Sequence, residues 1–254
     1  MTQAEQANAF HALHAKGDPL VLFNIWDAGS ANAVSEAGAK ALATGSWSVA
    51  AAQGFSDGEE LPLEFLCRIV ERITATVHLP LSVDMEGGYA TDPEDVAASM
   101  RKIVGAGAVG MNFEDQVVKG EGLHGIAEQA ARIRAIRDMG EDLSVPVFIN
   151  ARTDLFLNAE RADHAMHVDE AIERGQAYTE AGASGFFVPG LVEPNLIARI
   201  CEAMTLPVNV MALPGAPSTA DLAGMGVARI SHGPWPYRKT MSDLTERCRV
   251  ETAR

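Results

Sequence analysis

Two carboxylates stand at the end of an apolar run in LSVDMEGGYATDPED (residues 81–95): Asp84 and Glu86, followed at once by Gly87 and Gly88. A second pair, Glu114 and Asp115, closes the run VGMNFED at 109–115. Carboxylates held together in a partly dry pocket repel one another and take up protons unless a cation neutralises them. Oxygen ligands with no cysteine or histidine nearby suit a hard ion, Mg²⁺ or Mn²⁺. The four acids Asp84, Glu86, Glu114 and Asp115 are therefore expected, as a group, to hold a metal ion, with the glycine pair letting backbone pass close to the ion or to a substrate oxygen. The competing use for such acids is helix capping, for which Asp92 and Asp115 are good candidates, or pairing with Arg152. Arg152 is the only Arg or Lys at the end of an expected strand, and its planar fork suits a carboxylate or phosphonate. A salt bridge to Asp154 or Glu114 is the structural alternative.

Elements of regular structure must bring these residues together. Short runs rich in Val, Ile, Leu and Phe predict eight strands at 20–25, 40–44, 80–84, 109–114, 146–150, 184–188, 207–211 and 227–231. Between them the apolar residues recur at helical spacing, as in 62–77, 93–105, 126–139, 168–181, 193–204, 218–224 and 234–250, and residues 3–16 read as an extra leading helix. Strands that are apolar throughout are buried on both faces, as in a parallel sheet wrapped by helices. Eight β–α units in 254 residues fit a single (β/α)8 TIM-type barrel over 1–254, with an open doubly wound sheet as the alternative.

In such a barrel the chemistry gathers at the C-terminal strand ends. Read in order, those ends carry Asn24, Trp26 and Asp27; Thr44, Gly45, Ser46 and Trp47; Asp84 and Glu86; Asn112, Glu114 and Asp115; Asn150, Arg152, Thr153 and Asp154; Pro189 and Gly190; Asn209; and Ser231 with His232. Residues 46–60 and 115–125 read as long glycine-bearing loops on this face, candidates for lids. The first could carry Asp57 onto a substrate; Lys119 and His124 on the second are expected to be solvated loop residues, and His232 is as well suited to capping as to chemistry.

GAGAVG at 105–110 matches the spacing G-x-G-x-x-G but follows a helix and enters a strand. The dinucleotide motif needs the opposite order, so a structural turn is expected here.

A net charge of −14, from 20 basic against 34 acidic residues, argues against nucleic acid and anionic membranes as partners. The three cysteines, Cys67, Cys201 and Cys248, are far apart and form no C-x-x-C pair, which suits a reducing compartment and not a zinc site. With no signal-like N-terminus and no apolar run approaching ~20 residues, a cytoplasmic location is expected.

Taken together, NIWDAGSA, TGSWSVAAAQGFSDGEELP, VDMEGGY, NFEDQ, NARTD, GFFVPG, PVNVM and GVARIS resemble the isocitrate lyase/phosphoenolpyruvate mutase superfamily over nearly the whole chain. The resemblance implies an α/β barrel, bound Mg²⁺, and a small carboxylate substrate with a 2-oxo or 2-hydroxy acid core. It implies making or breaking a C–C or P–C bond beside that core through a metal-stabilised enolate. It gives metal roles to Asp84, Glu86 and Glu114, often through water, and a substrate-carboxylate contact to Arg152. The turn Thr44, Gly45, Ser46, Trp47 would offer donors to the carboxylate, and Asp57 corresponds to a lid aspartate. Asp57, Arg152 and Glu114 are thus the catalytic candidates, and Asn209 joins the substrate contacts from its strand end. The family also implies a homo-oligomer, a dimer or tetramer. Departures are visible: VVKGEGLHG lacks the lid cysteine that isocitrate and methylisocitrate lyases use as acid and base, Gly45 replaces a frequent serine, and Glu86 replaces aspartate. The leading expectation is a Mg²⁺-dependent carbon–carbon lyase. The alternatives are a phosphonate mutase or hydrolase, and a non-catalytic 2-oxo acid binder.

Overall fold

The structure, a computed structural model, describes residues 1–253. Eight parallel strands form one sheet in the order β1-β8-β7-β6-β5-β4-β3-β2. They are β1 (Leu20–Leu22), β2 (Leu42–Ala43), β3 (Leu81–Asp84), β4 (Gly110–Glu114), β5 (Phe148–Arg152), β6 (Gly185–Phe187), β7 (Val208–Met211) and β8 (Arg229–Ser231). A parallel bridge from Ile25 to Thr44, with Ile25 N–H donating to Ala43 at 2.8 Å, joins the β1 and β2 ends and all but closes the barrel. This is the (β/α)8 architecture expected from the alternating runs.

The outer helices are α1 (Gln3–Ala12), α2 (Ala28–Glu36), α3 (Ser46–Ala52), α4 (Leu63–Thr76), α5 (Pro93–Gly105), α6 (Ile126–Asp142), α7 (Leu155–Asn158), α8 (His164–Glu180), α9 (Pro194–Ala203), α10 (Thr219–Gly224) and α11 (Trp235–Thr252). Their inward stripes are those the spacing indicated: Leu66, Ile69, Val70 and Ile73 of α4 and Val96, Met100, Ile103 and Val104 of α5 are all buried. The capping reading of Asp92 holds, since its side chain accepts from Glu94 N–H at the start of α5. Asp27 does the same work for α2, accepting from Ser30 N–H at 2.7 Å. The leading helix closes the bottom of the barrel. Phe10 meets Phe148 edge-on at 5.3 Å, and His14 stacks on the same ring at 4.0 Å.

Two boundaries move. Residues 146–150 read as a strand, but β5 runs over Phe148–Arg152. Pro146 has no N–H to give a sheet, and the ladder to β4 begins where Phe148 N–H reaches Val109. Arg152 is therefore inside the strand end and not beyond it. Residues 46–60 read as one long loop, yet SWSVAAA forms α3 directly after β2. The loop that remains is 53–60. The glycine phrase 105–110 is the structural turn expected: it ends α5 and opens β4, with Gly107 at φ +103. Among the described residues no helix is long and apolar enough to cross a membrane.

Candidate active site

The C-terminal strand ends surround a cavity of about 170 Å³. Asp84 of β3, Asn112 of β4, Arg152 of β5, Phe187 of β6, Met211 of β7 and Ser231 of β8 line it, so six of the eight strands reach it. Asn24 and the segment Gly45–Ser48 supply one wall, Asp57 the rim, and Leu157, Pro189, Gly233 and Pro234 the rest.

The acids divide by what they touch. Asp84 Oδ2 accepts from Ser46 N–H at 3.1 Å, while its Oδ1 is buried with no hydrogen-bond partner. Glu86 lies behind it, its Oε2 held by Gly58 N–H at 2.7 Å and Glu59 N–H at 3.0 Å. Burial, and then the charges of Asp57 and Asp84, push its carboxyl up to about 8. Glu114 is buried, and its Oε2 lies 2.9 Å from Arg152 Nη1. Burial raises its carboxyl despite that partner. Asp115 faces away from the cavity: Tyr178 O–H and Arg174 reach its Oδ2, and Asp154 N–H its Oδ1. It is a structural anchor. Asp57 sits at the cavity rim; the partial burial of its carboxyl there, and then the neighbouring Asp84 charge, raise it above the usual carboxylate range.

Arg152 makes the salt bridges of the structural alternative and also lines the cavity. Its Nε and Nη2 grip Asp154 in a two-point pair, and Nη1 takes Glu114, yet the residue still lines the cavity. Burial opposes its charge, but Glu114, Asp154 and Asp84 outweigh that and hold the guanidinium well above its usual value, so it is a permanent cation. Three of its five N–H groups are engaged, which leaves two for a ligand.

The loops flanking the cavity rest against the third strand end. Glu59 Oε1 accepts from Tyr89 N–H at 2.7 Å, and Val118 packs so closely over Gly87 that a Cβ there would lie 2.7 Å from its Cγ2. That contact accounts for Gly87. Glu59, Glu86 and Tyr89 all adopt positive φ without being glycine, so backbone strain is concentrated at this junction.

Of the expected substrate contacts, Gly45, Ser46, Trp47 and Arg152 line the cavity and Thr44 and Asn209 do not. Thr44 spends its hydroxyl accepting from Asp84 N–H at 2.9 Å and its carbonyl accepting from Asn24 Nδ2. Asn209 is buried two residues before the true end of β7, bonded to Ser231; Met211 is the residue at the mouth. Lys119 is exposed on the second loop; His124 is buried there, its Nδ1 paired with Glu128, and His232 uses its backbone N–H to bind Asn24 Oδ1. None of the three lines the cavity. The sequence reading missed the apolar lining, Phe187 and Met211 above all, and the interior Arg229.

The expected metal set is also rearranged. Among the described residues no group of three or more His, Cys, Asp or Glu side chains is arranged to hold an ion together. Glu86 has its Oε2 held by backbone N–H groups, and Glu114 has its Oε2 held by Arg152. The residues nevertheless fit a hard cation held by one direct carboxylate: Asp84 Oδ1 is a buried acceptor with no partner, and Glu86 and Glu114 supply further negative charge behind it.

A parallel barrel with acids and an arginine at its C-terminal strand ends carries its polar cluster where (β/α)8 enzymes carry their chemistry. A family model for phosphoenolpyruvate phosphomutase matches residues 10–250, and the chain belongs to this family, within the isocitrate lyase/phosphoenolpyruvate mutase superfamily. A crystal structure from Burkholderia cenocepacia J2315, provisionally described as a phosphonomutase, is 47% identical with a TM-score of 0.95, covering 98% of this chain and 99% of that one. An uncharacterized protein of Mycobacterium tuberculosis strain H37Rv is 35% identical, with 90% of this chain and 83% of that protein covered. The 2-methylisocitrate lyase of Escherichia coli K12 is 31% identical, with 82% of this chain and 70% of the lyase covered. The superfamily comprises lyases, mutases and hydrolases.

Proposed function

We propose that the protein is a Mg²⁺-dependent lyase that breaks a carbon–carbon bond beside a small 2-oxo or 2-hydroxy acid core, by retro-aldol cleavage or decarboxylation. The make-up of the cavity wall carries this reading. Arg152 is its single cationic side chain, and Leu157, Phe187, Pro189, Met211 and Pro234 face it with hydrocarbon. One carboxylate matches Arg152 and the backbone N–H of Trp47 at the start of α3, the N–H groups of Gly45 and Ser46 being spent on Ile25 O and Asp84 Oδ2. A dianionic group on the rest of the substrate would meet apolar surface, where an unpaired charge is costly.

In the retro-aldol direction the 2-hydroxyl loses its proton, C2 becomes the carbonyl of a 2-oxo acid, and the C2–C3 bond breaks. The electron pair leaves on C3 as an enolate that then takes up a proton. Asp57, at the rim and with its carboxyl shifted upward, is the candidate to receive or return a proton. Arg152, with Glu114 behind it, orients the carboxylate. Mg²⁺ held at Asp84, with Glu86 and Glu114 nearby, would polarise the 2-oxygen and a carboxylate oxygen. The loops at 53–60 and 115–125 would exclude water from the enolate.

A second reading, mutase or hydrolase action on a P–C bond, is favoured by the 47% identical Burkholderia protein. Oxaloacetate, substituted malates, methylisocitrate and phosphonopyruvate, each with Mg²⁺, separate the two. Release of a 2-oxo acid from a carbon substrate is the expected result. Phosphate or phosphoenolpyruvate from phosphonopyruvate alone would replace the first reading with the second, and binding without turnover would reject both.

We also propose a cytoplasmic homo-oligomer. Most of α11 lies exposed, including Leu244 and Val250, which suits a helix covered by another copy. A monomeric mass by light scattering would reject assembly.

A further inference from the structure

Arg229 is an arginine buried inside the barrel, 1% exposed, and among the described residues it forms no ion pair. It precedes Ser231 by two residues on β8, so it faces the same interior one layer deeper than the cavity lining. Burial lowers its guanidinium to about 9, partly offset by the charge of Asp84, and Nη1 has no partner. A buried cation of this kind is costly to keep. What it does touch is specific. Its Nη2 donates to Asn112 Oδ1 at 3.1 Å, and Asn150 Nδ2 donates to the same oxygen at 2.9 Å. Asn112 lines the cavity, next to Asp84 in the strand register. With Oδ1 taken twice, by Asn150 from the neighbouring strand and by Arg229, its amino group, Nδ2, is the end of the amide left for a ligand; it makes no hydrogen bond within the described residues.

We propose that Arg229 is a positioning residue that fixes the Asn112 amide with its N–H₂ toward the cavity, so that Asn112 donates to a carboxylate or 2-oxo oxygen of the substrate. This rests on the 2-oxo or 2-hydroxy acid reading for the identity of the acceptor. The argument turns on which groups can reverse. An asparagine pair can flip together: were Asn150 to turn, its oxygen could accept from Asn112 Nδ2, and Asn112 would then offer an oxygen to the cavity. Arginine has five donors and no acceptor. Its fork faces Asn112 with N–H in every arrangement, so a flipped Asn112 would set donor against donor in a buried site, leaving both unsatisfied. Arg229 is thus the one member of the network that removes the ambiguity. The consequence for selectivity is that the cavity accepts an oxygen at this point and disfavours an ammonium group.

The test is calorimetric titration of oxalate, in the presence of Mg²⁺, into the full-length protein and its variants. Asn112→Ala should weaken oxalate by roughly ten- to a hundredfold, the range of a hydrogen bond to a charged group. Arg229→Met, which fills similar space without charge, should weaken oxalate in the parent. In the Asn112→Ala background it should have no further effect, and Arg229→Lys, still a pure donor, should recover part of the loss. A full effect of Arg229→Met in the absence of the Asn112 amide would overturn the proposal, as would parent-like binding by Asn112→Ala. A ligand-free readout stands beside it. The Asn112 side-chain amide signal in a ¹H–¹⁵N spectrum, assigned by its loss in Asn112→Ala, should move in Arg229→Met, and an unmoved signal would overturn the proposal. If the parent fails to bind oxalate, the 2-oxo acid reading falls, while the amide signal still decides whether Arg229 orients Asn112.

Discussion

Arg152 Nη1 lies 2.9 Å from Glu114 Oε2, and the same two residues are paired in register across β4 and β5. The cation at the cavity wall is therefore fixed by its neighbouring strand as well as by Asp154. Lysine at this position keeps a charge but cannot span Asp154 with two N–H groups and reach Glu114 with a third. Arg152→Lys should weaken oxalate in the presence of Mg²⁺ by ~1.5–3 kcal/mol while Mg²⁺ affinity changes far less. Calorimetry on both ligands reads the split. Equal losses for the two would mean that Arg152 organises the acids and does not grip substrate.

Asp84 is the only one of the three expected metal carboxylates with a buried oxygen left unpartnered. Removing it should abolish or weaken Mg²⁺ or Mn²⁺ binding by at least about tenfold, the loss of a direct charged ligand. Titration into chelator-treated Asp84→Ala protein checks this. Binding as tight as the parent's would remove the metal assignment.

How much of this site was legible in the sequence depends on what each residue's neighbours betray. Asp84, Glu114 and Arg152 end apolar runs, and a strand end in a parallel barrel is where chemistry gathers. Phe187 and Met211 are as much a part of the cavity, but an apolar residue ending an apolar strand carries no mark of exposure to a ligand. Asn209 was misread because PVNVM gives no sign of where β7 stops; two residues decide whether an asparagine lines the mouth or lies beneath it. Arg229 was invisible for a related reason: GVARIS reads as strand entry, and only knowledge of which face turns inward reveals a buried cation. The helix α3 escaped because SWSVAAA lacks a long enough apolar stripe to show a period. By contrast α4, α5 and α6 span several turns each, enough for their periodicity to be read.

Gly107 occupies φ +103, and a Cβ there would lie 3.1 Å from both Cγ2 and Oγ1 of Thr74. Gly107→Ala should therefore destabilise the fold by ~1–3 kcal/mol through left-handed strain and crowding. The turn lies between the end of α5 and the start of β4, away from the cavity, so oxalate affinity should be nearly unchanged. A melting curve and an oxalate titration on the same variant separate stability from binding. NAD or FAD binding that disappears with this change would instead make GAGAVG a dinucleotide site.

The ring of His14 is held neutral at the barrel floor. Its Nδ1–H donates to Phe10 O at 2.8 Å, and its Nε2 is buried without a partner. Burial, reinforced by the Arg229 charge, lowers its pKa from 6.5 to about 3. The folded protein thus binds this proton less readily than the unfolded chain. The stabilisation is complete above about pH 6.5 and declines as pH falls toward 3, by up to about 1.4 kcal/mol per pH unit. His11 is lowered too, by burial, and acts in the same direction. Urea unfolding at about pH 7.5 and about pH 5 should show the parent losing more stability than His14→Phe, which keeps a ring but has no titrating nitrogen. Identical losses would mean that the His14 site opens and protonates without unfolding.

The last prediction concerns the two loops packed against the third strand end, of which 53–60 reaches the cavity rim with Asp57. Residues 53–60 are tied to the third strand end by Gly58 and Glu59 N–H on Glu86 and by the Glu59 carboxylate on Tyr89 N–H. Residues 115–125 fold back on themselves through the Gln116–Leu123 bridge and cover Gly87 with Val118. These ties are few, and several are made by backbone at positive φ, so local opening should be inexpensive compared with unfolding. An enolate formed beneath them is quenched if water enters, which makes closure over an occupied site part of the proposed chemistry. Hydrogen exchange with and without oxalate plus Mg²⁺ measures that closure. Protection should rise in 53–60 and in 115–125, whereas α3, already helical, should change little. In Arg152→Lys, at oxalate concentrations that saturate only the parent, the rise should disappear. Exchange that is unchanged in the parent despite demonstrated oxalate binding would mean that these segments are static walls, and that water is excluded by the apolar lining alone.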